Sequence, residues 1–106
     1  MKIPKKIPIC GRPYKVKVDP THDGGSLSEA DQLIVIGTVD PKKVPDIFLH
    51  EVWEATVAIR NFRYVLQRAE PDNGDYLFCM NHAQYEQVIS DVANSLSGVS
   101  FPRLGK

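Results

Sequence analysis

Phe48-Leu49-His50-Glu51-Val52-Trp53-Glu54-Ala55 is the stretch on which the reading of this chain turns. It lies inside a longer apolar run, residues 45–62, in which Ile47, Phe48, Leu49, Val52, Trp53, Ala55, Val57, Ala58, Ile59 and Phe62 are all of core type. A run apolar on most sides predicts one helix surrounded by protein. Three ionisable residues nevertheless sit at its centre. His50 and Glu54 are four apart, so they lie one turn apart on the same face. Glu51 is adjacent, three before Glu54, which sets two like charges side by side. One turn further on stand Ala55, Val57 and Ala58, none of which is a cation. An acidic pair on a buried helix costs free energy unless a cation neutralises it. A divalent metal is such a cation, and histidine with carboxylate is a zinc ligand set. The competing reading of the same pattern is a narrow solvated stripe on a packed helix.

Upstream of this helix the pattern changes to that of strands. Residues 3–10 carry Pro4 and Pro8, which confine them to an edge strand or an extended arm. Cys10-Gly11-Arg12 supplies a turn. Residues 13–19 then alternate, with Tyr14, Val16 and Val18 on one face and Lys15, Lys17 and Asp19 on the other, as in a half-buried antiparallel strand. Residues 20–30 are polar and contain Gly24-Gly25, so they read as a loop, with His22 a solvated loop histidine. Gln32 to Thr38 is apolar and β-branched on both faces and predicts a well-covered strand. Asp40-Pro41 turns the chain, and Pro45 suits a first helical turn, with Val44 outside it.

Downstream, Arg63–Gln67 and Tyr76–Met80 have strand character around the turn signal Pro71-Asp72-Asn73-Gly74, although a continued first helix and a loop fits nearly as well. Asn81 with Gln84 three residues later is a capping box that opens a second helix. Tyr85, Val88, Ile89, Val92 and Leu96 form its expected buried stripe, and Gly98 its stop. His82, in line with Tyr85 and Ile89, is expected to face the core helix. A helix N-terminus disfavours the imidazolium, which keeps such a histidine available as a ligand. His50, Glu54 and His82 together make the inventory of a catalytic zinc site with a fourth position for water. Glu51, beside a ligand but not needed as one, stands where a general base would. Cys79, three before His82, is an alternative thiolate ligand, but in an apolar run it reads first as a small hydrophobe. Trp53 reads as a core residue before a groove residue.

With 106 residues, 42% hydrophobic and 25% charged, the chain corresponds to one small domain, with residues 1–10 as a basic arm or edge strand and 98–106 as a tail. A formal net charge of zero gives no argument for nucleic acid or a membrane surface. The early lysines read as the wet face of a hairpin. Two cysteines are too few for a disulfide scaffold, and no secretory or membrane-spanning run is present, so a cytoplasmic protein with reduced thiols is expected.

The motif also resembles a family. A strand, a short linker and a helix bearing His-Glu-x-x-His is the active-site arrangement of the zincin metallopeptidases. The chain resembles in particular the small phage- and prophage-encoded zincin-like proteins, through Gly24-Gly25, Gln32-Leu33-Ile34-Val35-Ile36 and Leu49-His50-Glu51-Val52-Trp53-Glu54-Ala55. The likeness extends over roughly residues 10–97, with only the helix motif specific. It implies His50 as first ligand and Glu51 as general base. The departure is Glu54, which stands where the common motif has its second histidine; His82 would restore the count of two histidines and one carboxylate.

The expectation is therefore an α+β domain: a small, mainly antiparallel sheet packed on the central helix, with a C-terminal helix alongside. Its expected function is zinc-dependent, peptidase-like hydrolysis of a peptide or protein substrate. The alternative is a catalytically inactive zincin-like scaffold that serves as an interaction protein, with or without a structural metal.

Overall fold

The computed structural model describes residues 1–65 and 76–101. Strand β1 (Lys6–Ile9) turns into β2 (Arg12–Asp19) through Cys10 and Gly11, both at positive φ (50° and 80°). Two residues with φ > 0 form the type I′ turn whose twist matches a hairpin. In the resulting register Pro8 faces Pro13. Neither can donate, so the pair suits a position where no ladder bond is exchanged. Strand β3 (Gly25–Ser28) and strand β4 (Leu33–Gly37) follow, and the sheet order is β1-β2-β4-β3. Two of the three pairings are antiparallel; β2 and β4 run parallel. The segment read as loop thus contains an edge strand, whose Gly25–Ser28 sequence carries too little apolar alternation to announce it.

Ile7, Ile9, Tyr14, Val16, Ile34 and Ile36 point to one face and are buried there. Both helices pack against the sheet, α1 on β3 and β4 and α2 on β1. Two sequence expectations change here. Leu33 and Val35 on the opposite face of β4 are only half-buried, so the strand is fully covered on one side. Val18 is 49% exposed, because β1 pairs no further along β2 than Lys15 and leaves it flanked by β4 alone.

A single 3₁₀ turn (Pro41–Lys43), capped by Asp40 accepting from the Lys42 amide at 3.0 Å, leads into α1 (Val44–Ile59). Val44 is helical after all, since the preceding turn already holds it near αR. The helix stops three residues earlier than its apolar run. Asn61 adopts φ 62°, the Phe62 amide donates to the Val57 carbonyl and the Asn61 amide to the Ala58 carbonyl. That is a Schellman cap, with asparagine in the left-handed position usually given to glycine. Short strands β5 (Arg63–Val65) and β6 (Tyr76–Phe78) pair antiparallel, as one of the two expectations held. The Pro71–Gly74 turn lies outside the described residues.

Helix α2 (His82–Ser95) opens with the expected capping box: the Gln84 amide donates to Asn81 Oδ1 at 2.9 Å and the Asn81 amide to Gln84 Oε1 at 2.8 Å. Its buried line is Val88, Val92 and Ser95, whereas Tyr85 and Ile89 are each 46% exposed. The helix is therefore rotated from the expected stripe. Gly98 is not at positive φ, and Leu96 caps the helix instead. No described helix is long and apolar enough to cross a membrane.

The two helices are tied together at Asp91. Arg60 donates to it from Nε at 2.8 Å and from Nη2 at 3.2 Å, and Gln87 Nε2 donates at 3.0 Å. The Cys10 thiol lies 3.7 Å from the same carboxylate, and burial first and Asp91 second push that thiol's pKa up. For Asp91, burial pushes the pKa up, but the hydrogen bonds from Arg60 and Gln87 and the Arg60 charge outweigh it and hold the carboxyl below its ordinary range. A depressed carboxylate contributes stability above the unfolded pKa of about 4, and that contribution is lost as pH falls through the folded value. Asp91→Asn is expected to cost about 1–2 kcal/mol at neutral pH. In urea melts its difference from wild type should shrink steadily below about pH 4. A difference that stays constant into acid would show that the charge on Asp91 contributes nothing.

Candidate metal centre

The helical spacing of the central motif brings three donors together on α1. His50 Nε2 stands 3.3 Å from Glu54 Oε2 and 3.9 Å from Glu51 Oε2. One donor atom from each of the three residues lies within 4.8 Å of the others, so the group could hold a metal ion. The side chains form a gradient from solvent to core, with His50 63% exposed, Glu54 18% and Glu51 5%. An ion would therefore be reached from the His50 side.

The inner end of the gradient depends on two glycines. Gly37 ends β4 where its amide donates to the Gly24 carbonyl at 2.7 Å, and a Cβ there would come within 2.2 Å of the His22 carbonyl oxygen. Only glycine allows the 22–24 loop to lie this close. The loop carries the chain into β3, where a Cβ on Gly25 would meet Glu51 Cγ and Ile47 Cγ2, each at 2.9 Å. The bare backbone of Gly25 is thus the wall against which the Glu51 carboxylate packs.

This setting moves the proton affinity of Glu51. Burial raises its pKa and the neighbouring Glu54 carboxylate raises it further; His50 and then His22 act the other way, and the balance is about 6. The donor set fits a cation on that ground. Two carboxylates share a mostly buried position, and among the described residues the only ion-pair partner of Glu51 is the His50 imidazole. His22, read from sequence as a solvated loop residue, is exposed and outside the group, yet its charge acts on Glu51. Its signal in the sequence would have been the glycine pair two residues on, which lets the loop approach the helix.

His82 is not brought to this group. Its ring is 87% exposed and Nδ1 lies 3.2 Å from Glu86 Oε1, one turn along α2. The cause is the rotation of that helix. His82 does line up with Tyr85 and Ile89, but that line faces outward. The residues brought together are therefore His50, Glu51 and Glu54, without the second histidine that the sequence reading expected. Cys79 is exposed and also lies outside the group.

On the Glu54 side a groove of about 680 Å³ opens between α1, β6 and α2, with Trp53, Phe78, Ile89 and Val92 along it and His50 and Glu54 at its edge. Trp53 is half-buried against the core and meets Phe78 edge-on, with ring centroids 4.7 Å apart at 87°. Both readings of Trp53 thus apply. A smaller cleft of about 320 Å³ lies on the other side, walled by Gly24 and Gly25 and by Asp46, His50 and Glu51. The donor group forms the saddle between the two hollows.

The raised pKa of Glu51 has a consequence in the metal-free protein. Below its ordinary value of 4.5 the residue is protonated in both folded and unfolded chains. As pH rises from 4.5 to about 6 the unfolded chain ionises while the folded one still holds the proton, so folding loses stability, by up to about 2 kcal/mol. Glu51→Gln should therefore match wild type at acid pH and exceed its stability above neutrality. Chelator-treated protein unfolded in urea at both pH values reads this directly, and equal stability at alkaline pH would contradict the burial of a charged Glu51. In comparisons with known proteins, no family model, no curated protein and no solved structure matches this chain.

Proposed function

We propose that this chain is a zinc-dependent hydrolase of peptidase type on a zincin-like plan, of the kind encoded by phages and prophages and working in the cytoplasm. The observation that supports it above all others is the buried Glu51 carboxylate beside His50 and Glu54, which themselves stand at the edge of a groove. His50 and Glu54 are the residues that would hold the ion, and Glu51 is the general base. An imidazole suits zinc, whereas a carboxylate also suits manganese, so elemental analysis decides between them. A divalent ion there supplies Lewis acidity to a scissile carbonyl and to the attacking water.

The roles of the protein's own groups follow from their settings. Glu51 is the innermost of the three groups, 5% exposed, so a water at the site would meet its carboxylate screened from bulk solvent. Glu51 takes the proton from the attacking water and is placed to hand it to the departing amine. The Gly25 wall keeps its carboxylate aimed towards His50 and away from bulk solvent. A second reading is favoured by the exposed apolar rim, where Leu49 is 45%, Phe78 44% and Ile89 46% exposed. On that reading the chain is a binding module that uses the groove and performs no chemistry.

Protein prepared without a histidine tag should retain one zinc per chain through dialysis. His50→Ala and Glu54→Ala should lose it, and His82→Ala should keep it. Glu51→Gln should keep the metal and lower the rate of peptide hydrolysis about 10²–10⁴-fold. Hydrolysis by Glu51→Gln at the wild-type rate, or none by wild type, would sink the catalytic reading and leave the binding module.

A further inference from the structure

The groove beside the donor group has two unlike walls. On α1, Asp46, His50 and Glu54 succeed one another at four-residue intervals and form a polar line. Opposite them stand Phe78 from β6 and Ile89 and Val92 from α2. Leu49 and Trp53 lie next to the polar line on the same helix, so the floor is apolar. Among the described residues that line the groove there are two carboxylates and neither lysine nor arginine. Asp46 also lines the smaller cleft, so its carboxylate stands where the two hollows meet. It is exposed and forms none of the ion pairs found among Lys43, Asp23, Arg60 and Asp91.

We propose that this groove is the subsite for a peptide segment in which a bulky apolar side chain is flanked by lysine or arginine: the apolar side chain seats between Trp53 and Ile89, and the flanking cation meets Asp46. The proposal rests on the reading of the site as one that acts on peptides, and it adds which peptides. Two features of the groove argue for this occupant. The first is charge complementarity, since a line with two carboxylates and neither lysine nor arginine among its described residues repels acidic segments and attracts basic ones. The second is continuity, since His50 and Glu54 belong both to the groove edge and to the donor group. An apolar residue seated at Trp53 therefore lies within a few residues of the atoms that would act on the chain. A second copy of this protein is a poorer fit. The exposed apolar rim of one groove would meet the same anionic line in its twin, and a two-fold contact sets like charges against each other.

Trp53 is the sole tryptophan of the chain and lines the groove, so its emission reports occupancy without a label. The test uses the full-length protein, metal-free in chelator and at low ionic strength, and the tryptophan-free probe acetyl-Ala-Lys-Phe-Lys-Ala-amide. A saturable change in Trp53 emission is expected. Replacing phenylalanine in the probe by alanine should weaken binding at least about tenfold, because the groove's apolar wall is then left without a partner. Replacing both lysines by glutamate should weaken it by about as much. Asp46→Asn should reduce the preference for the lysine probe over the glutamate probe several-fold. Ile89→Asp, at a position exposed enough to tolerate the change, should abolish the signal while leaving the melt intact.

No saturable change with the lysine probe would overturn the proposal, whether or not the zinc-loaded protein hydrolyses some other peptide. Equal binding of the lysine and glutamate probes would overturn the charge assignment. Sedimentation showing a dimer that Ile89→Asp dissociates would give the groove to a second copy and overturn it as well. Binding as expected in a protein that hydrolyses nothing when zinc-loaded would refute the hydrolase reading and leave the subsite standing.

Discussion

A carboxylate buried at a helix–sheet interface is the constraint on which the rest of this structure depends. Glu51 is carried into the interior by the helix whose adjoining positions Phe48, Val52 and Ala55 pack in the core, so moving it out would disturb that packing. Room for it exists only because β3 begins at a residue without a side chain. Gly25 yields the space that Glu51 fills, and Gly37 allows the loop before Gly25 to reach that far. Two strands, one loop and one helix are thus committed to holding one acidic group near His50 and Glu54. An apolar residue at position 51 would be cheaper to bury. Keeping an acid there costs stability, and such local costs concentrate where a protein binds or reacts.

The second helix is set by different forces, and its setting decides what surrounds the donor group. The Arg60–Asp91 pair, with Gln87 bracing Asp91 from within α2, fixes one edge of α2 against the end of α1, while Val88 and Val92 face the core. With that edge fixed, Tyr85 and Ile89 turn outward and His82 turns with them. The same rotation opens the space between α1 and α2 that becomes the groove. A histidine leaves the donor group and an apolar wall is gained, through one rotation of one helix.

The position of Trp53 links the two arrangements. It packs against the core and meets Phe78 edge-on, which anchors the β5–β6 hairpin beside α1. Its remaining surface faces the groove. A residue of this size does both because an indole has more surface than one core site can cover.

Much of this was legible in the residues alone. The spacing of His50, Glu51 and Glu54 determined that they share one helical face, since a helix of 3.6 residues per turn leaves no other outcome. Asn81 and Gln84 determined the start of α2, and Cys10-Gly11 the first hairpin, because each is a local hydrogen-bonding or dihedral preference. Other features were decided only by tertiary structure. Gly25–Ser28 is a strand because β4 offers it an edge, not because of its own pattern. Asn61 ends α1 ahead of an apolar Phe62 because the chain must turn into β5. The inward line of α2 went to Val88, Val92 and Ser95 because Asp91, reaching for Arg60 from another helix, set the rotation. That choice put Ile89 and His82 outside. Periodicity says which residues of a helix share a face; it takes a partner elsewhere in the chain to say which face turns in.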